Sequence, residues 1–150
     1  MDAQEISFFK IAFQEAQQAA LEDDVPVGAV IVLEGQIIAR SGNRVERNHD
    51  PTAHAEILVI REAAALLKTP RLVGCDLYVT LEPCAMCAQA MAHARIRCLY
   101  YGAYDPKGGG VEHGSQVFSQ KTCHHRPKVM GGFQAEECGQ LLKDFFQARR

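Results

Sequence analysis

The sequence predicts an α/β fold, and three observations carry that reading. An apolar run from Val25 to Leu33 turns through Glu34-Gly35 into Gln36 to Ala39, the pattern of an antiparallel hairpin. Farther on, Leu77 to Leu81, an alanine- and methionine-rich stretch from Cys84, and Cys98 to Tyr101 read as strand, helix and strand. That order implies a right-handed parallel crossover. Segments with helical periodicity flank these strands, and 150 residues suit a single domain over 1–150 with a sizeable core.

The elements follow in order. Ile6, Phe9, Phe13, Ala16 and Ala20 recur at helical spacing, predicting an amphipathic helix over residues 5–21 with that face buried. Glu22-Asp23-Asp24 ends it and reads as a solvated connector. The unbroken apolarity of Val25 to Leu33 predicts a strand buried on both faces. Asn43 opens a polar loop that runs to Asp50, and an asparagine there reads equally well as a turn residue. Asp50-Pro51 reads as a helix cap followed by proline at the first helical position, starting a helix to about Lys68 with Ile57, Ile60, Ala64 and Leu67 as its core stripe. Pro83 plays the same part for the helix that carries Cys84. A short strand near Val129 and a helix over about 134–149, with Ala135, Cys138, Leu141, Leu142 and Phe145 on one face, complete the chain. Arg149 and Arg150 suit the negative end of that last helix.

The chemistry concentrates between His54 and Cys87. One imidazole and two thiols supply three zinc ligands, His54, Cys84 and Cys87, and Glu56 is a nearby carboxylate that ligation does not need. Cys84 and Cys87 are three residues apart, so on one helical turn both sulfurs face the same way. A helix start also favours the thiolate, which is the form that binds metal. Three protein ligands leave a fourth position open, and an open position is the mark of a catalytic site. A structural site would need a fourth ligand at matching spacing, but Cys75, Cys98, Cys123 and Cys138 form no second Cys-x-x-Cys. Cys123-His124-His125 is the one competing cluster, and adjacent residues do not converge easily on one ion. Gly108 to Gly110 lacks the Gly-Lys-Ser/Thr that a phosphate-cradling loop requires.

Composition sets the context. The chain is 47% hydrophobic and 23% charged, as in ordinary soluble domains, and it has no apolar run of membrane-spanning length. The N-terminus lacks the basic flank of a signal peptide, so a cytoplasmic location is expected, with reduced cysteines. Net charge is −2, yet residues 104–150 carry 7 Lys and Arg against 5 Asp and Glu. That is a modest pointer to a polyanionic partner.

At Val25-Pro26-Val27-Gly28-Ala29-Val30, Asn43, Asp50 to Glu56, Tyr78 to Cys84, Met86-Cys87 and Asp144-Phe145-Phe146, the chain resembles the cytidine deaminase superfamily. More closely, it is similar to the bacterial tRNA-specific adenosine deaminases over roughly residues 5–148. The resemblance implies a three-layer α/β/α sandwich around a mixed five-stranded sheet. It also implies a homodimer with one zinc per subunit that converts adenosine to inosine at the wobble position of a tRNA anticodon stem-loop. His54, Cys84 and Cys87 would hold the zinc, Glu56 would shuttle protons, and Asn43, Ala55, Asp105 and Phe145 would contact substrate. The chain departs from many of these enzymes at Tyr104, where they have arginine, and in the 106–127 segment. A deaminase of the same chemistry acting on free guanine, cytosine or cytidine is the alternative.

Overall fold

The computed structural model describes residues 1–149, so Arg150 lies outside the described residues. The elements are α1 (Ala3–Leu21), β1 (Gly28–Leu33), β2 (Gln36–Gly42), α2 (Ala55–Leu67), β3 (Asp76–Leu81), α3 (Ala85–Ala94), β4 (Cys98–Ala103), β5 (Lys128–Met130) and α4 (Ala135–Gln147), with a 3-10 turn at Val117–Ser119. One five-stranded sheet has the order β2-β1-β3-β4-β5. β1 pairs antiparallel with β2 and β3, while β3 to β4 and β4 to β5 are parallel.

Side-chain alternation along the strands divides the core into two layers. Ala29 and Ile31 of β1, Leu77 and Val79 of β3, and Leu99 and Tyr101 of β4 face α2 and α3, whose Val59, Ala63, Cys87 and Met91 pack against them. Val30, Val32, Tyr78 and Tyr100 point the other way, to Phe9 and Ala12 of α1 and Cys138 of α4. Period-2 alternation buried on both sides is why β1 reads as continuously apolar. The predicted sandwich and mixed sheet are therefore present. The hairpin turns as read, with Glu34 and Gly35 both at positive φ, as a two-residue turn of the twist-matched type requires.

Two expectations need correction. The buried face of α1 is Phe9, Ala12, Ala16 and Ala19, while Ile6 is 44% exposed. Close approach explains the rotation, because α1 lies directly on the glycines of the hairpin. A Cβ on Gly28 would stand 2.0 Å from the Ala12 carbonyl oxygen, and one on Gly42 would stand 2.8 Å from Ala19 Cβ. Alanines permit that contact and larger residues do not. Because backbone obstructs backbone here, Gly28→Ala is expected to cost at least about 3 kcal/mol by overpacking. An unchanged urea midpoint would contradict this.

The second correction concerns helix starts. Asp50 does not cap a helix at Pro51. Its Oδ1 accepts instead from the Thr52 N–H at 2.9 Å and the Thr52 hydroxyl at 2.7 Å in a local turn. α2 begins at Ala55 with His54 as N-cap, and α3 begins at Ala85 with Cys84 as N-cap. Each helix thus carries a predicted metal ligand at the cap itself.

Candidate active site

Because β3 and β4 are parallel, α3 leaves the sheet at the carboxyl end of β3, and the N-terminus of α2 arrives at the same edge. His54 Nδ1 lies 3.6 Å from Cys84 Sγ and 3.5 Å from Cys87 Sγ, and the three donor atoms lie within 4.8 Å of one another. Tetrahedral zinc with its usual Zn–S and Zn–N bond lengths has a sulfur-to-nitrogen edge of roughly 3.6 Å. The residues therefore fit zinc in donor type and in spacing, with Nδ1 as the ligating nitrogen.

The electrostatics favour a thiolate at Cys84, with the shared proton left on its neighbours. The Cys87 thiol donates to Cys84, and with help from His54 this outweighs burial and lowers Cys84 to about 4. That same shared proton, together with burial, pushes Cys87 up. His54 is raised, first by its hydrogen bond with Cys84. Cys84 thus holds a thiolate readily, as a metal ligand must.

Glu56 stands in the first turn of α2 and is 4% exposed. Burial raises its carboxyl to about 7, partly opposed by its own backbone N–H, with the negative charge at Cys84 adding to the rise. A carboxyl balanced near neutral pH suits a group that both takes and returns a proton.

These groups open into a cavity of about 770 Å³. Val25, Val27, Val45 and Leu81 give it an apolar lining, and Asn43, Asp105 and Phe145 join His54, Glu56 and Cys84 around it. Asn43 is more than a turn residue: its Oδ1 accepts from the Ala55 N–H at 2.7 Å. The bond turns its NH₂ into the donor left for a ligand. Ala55 itself is fully buried and does not line the cavity, so its main chain serves by orienting Asn43.

Sequence reasoning missed three features around this cavity. Asp24, read as part of a solvated connector, is 1% exposed and accepts from the Glu46 N–H at 2.9 Å, holding the 43–53 loop. Arg149 bonds Asp23 at 2.7 Å and lies 3.5 Å over the Phe145 ring, closing one side of the rim. Glu82 is buried beneath the 105–113 segment. Burial would raise its carboxyl, but the N–H groups of Asp105, Glu112 and His113 and the His113 ring hold it below its ordinary value. Only the acidic run Glu22-Asp23-Asp24 hinted at any of these features, because the contacts of Asp24, Glu82 and the Arg149–Asp23 pair are long-range. Cys123-His124-His125 is not a metal site: Cys123 Sγ–H donates to the His125 carbonyl, and His125 Nε2 lies 2.7 Å from the Ile96 carbonyl oxygen. No helix among the described residues is long and apolar enough to cross a membrane.

A three-ligand zinc site with a buried glutamate at the edge of a mixed sheet defines a class, that of zinc-dependent deaminases. The family described as the cytidine and deoxycytidylate deaminase zinc-binding region matches residues 2–103. The tRNA-specific adenosine deaminase of Agrobacterium fabrum is 55% identical over 148 residues, covering 99% of this chain and 97% of that protein. A solved structure from work on A-to-I editing by tRNA:A34 deaminases is 57% identical with a TM-score of 0.90, covering 91% of this chain and 99% of that one. Guanine deaminase from Bacillus subtilis is also similar, at 31% identity and a TM-score of 0.66, covering 100% and 94%. The chain belongs to the tRNA-specific adenosine deaminases.

Proposed function

We propose that this chain hydrolyses adenosine to inosine at position 34 of a tRNA anticodon, acting as a cytoplasmic homodimer with one zinc per subunit. The observation that carries the reading is the position of Glu56 beside the three ligand atoms in a cavity roomy enough for a nucleoside, with Asn43 aimed and Phe145 at its edge. The end-to-end similarity to the tRNA-specific enzymes supports the substrate.

His54, Cys84 and Cys87 would hold the zinc, which when bound supplies the Lewis acidity that brings water close to deprotonation at neutral pH. Glu56 accepts the proton of the attacking water and passes it to the ring nitrogen beside C6 as the new C–O bond forms. The same carboxyl, reprotonated by the hydroxyl now on C6, protonates the exocyclic amine, and the C–N bond breaks. Water and adenosine yield inosine and ammonia. Asn43 orients the nucleoside through its NH₂, and the buried apolar wall excludes bulk water. An anticodon base is single-stranded, so it enters the pocket without the cost of opening a duplex.

Salt separates an RNA substrate from a free base. Three phosphate contacts would raise KM for an anticodon stem-loop roughly 20-fold between about 50 and about 200 mM salt, from a slope of about 0.7 per phosphate on single strands. A salt-independent KM would argue for a free nucleobase, the chemistry named for the guanine deaminase.

A further inference from the structure

A carboxylate with no part in the chemistry organises the loop that walls the cavity. Glu82 is 2% exposed. Its Oε1 accepts from the Asp105 N–H at 3.0 Å and lies 2.7 Å from His113 Nδ1. Its Oε2 accepts from the N–H groups of Val111, Glu112 and His113 at 3.2, 2.9 and 3.1 Å. An ionised carboxylate can only accept, so His113 Nδ1 carries the proton.

Four of these five donors are main-chain N–H groups, which almost any residue would provide. The fifth depends on the side chain at 113. Backbone is drawn in tightly between the anchors: a Cβ on Gly109 would stand 2.4 Å from Glu82 Oε2, and one on Gly110 would stand 2.5 Å from the Ala85 nitrogen. Gly110 N–H donates to the Pro83 carbonyl at 2.8 Å, so the loop lies against the start of the helix that carries Cys84 and Cys87. Asp105, itself an anchor, and Gly108, between it and Val111, line the cavity. Tyr104 packs edge-on to both Tyr101 and His113, with ring centroids 5.5 and 6.2 Å apart, which ties the loop to β4.

We propose that His113 is a positioning residue, whose ring, donating to Glu82, latches the 105–113 loop so that the Asp105–Gly108 wall stands formed before substrate arrives. The His113–Glu82 bond touches neither the ligand side chains nor Glu56, and Gly110 keeps its own main-chain bond to Pro83, so the latch acts on binding and leaves the chemical step alone. Its expected effect on KM rests on the proposed RNA substrate, since that wall is where a nucleotide beside the reacting one would lie. A loop that is formed only part of the time weakens apparent binding in proportion to the formed fraction.

The test uses the zinc-loaded full chain with His113→Ala and His113→Asn, the second keeping a side-chain N–H donor of similar reach. Two quantities are read: hydrogen exchange of the 105–113 amides, and steady-state kinetics on an anticodon stem-loop. Losing one charge-assisted hydrogen bond should raise exchange and KM about tenfold in His113→Ala, with kcat and zinc content unchanged, and His113→Asn should recover most of both. Unchanged exchange in His113→Ala overturns the latch. So does raised exchange with KM unchanged, or a fall in kcat at saturation equal to the loss in kcat/KM. The exchange measurement needs no substrate, so it judges the latch even for a parent that leaves the stem-loop unreacted, a result that would count against the RNA substrate alone.

Discussion

Glu56→Ala should lower turnover on the stem-loop about 10³- to 10⁴-fold while one zinc per chain stays bound. A single positioned acid or base contributes up to roughly 10⁴-fold, and here one group handles successive proton transfers. The loss should fall on kcat, because Glu56 does its work in the transition state and is not needed to hold the nucleoside. Its carboxyl is buried and raised to about 7, so the ionised form is held against its solvation preference. Removing it should therefore leave the melting temperature at or above that of the parent. Turnover within tenfold of the parent, at full zinc content, would take the shuttle away from Glu56.

Cys87→Ser should abolish both metal binding and activity. Cys87 is fully buried in the first turn of α3, and its sulfur forms one of the two sulfur-to-nitrogen edges to His54 Nδ1. A hydroxyl is a far poorer zinc ligand than a thiolate, and His54 with Cys84 alone would not retain the ion. Metal analysis after gel filtration should give close to zero zinc in place of one per chain. The parent should melt at a lower temperature after chelation, since an ion bound only by the folded state stabilises it. The variant should show no such difference, and a variant that retained stoichiometric zinc would mean that Cys87 is not a ligand.

The metal site was legible in the sequence because its parts are local. His54 and Glu56 are two residues apart, and Cys84 and Cys87 share a helical turn, so spacing alone aligned them. β1, β3 and β4 were legible for a similar reason, their alternating burial appearing as nearly unbroken apolar runs, whereas β2 was read only to Ala39 because Arg40 and Ser41 break the run before its end at Gly42. The start of α2 was misread because Asp-Pro is a strong capping signal, yet Asp50 satisfied itself on Thr52 and the helix began four residues later. The buried face of α1 was misread because hydrophobicity pointed to Ile6 and Phe13, whereas the glycines of the hairpin selected alanines. Asp24 was read as part of a solvated connector, and Glu82 drew no reading of its own. Their partners lie 22 to 31 residues away, a distance over which no local pattern reports.

The decisive measurement is a deamination assay with zinc-loaded protein on an anticodon stem-loop carrying wobble adenosine, run beside free guanine, cytosine, cytidine and adenosine. Inosine formed at position 34 of the stem-loop, and lost in Glu56→Ala, is the predicted result. Turnover of a free base with no inosine in the stem-loop would contradict it.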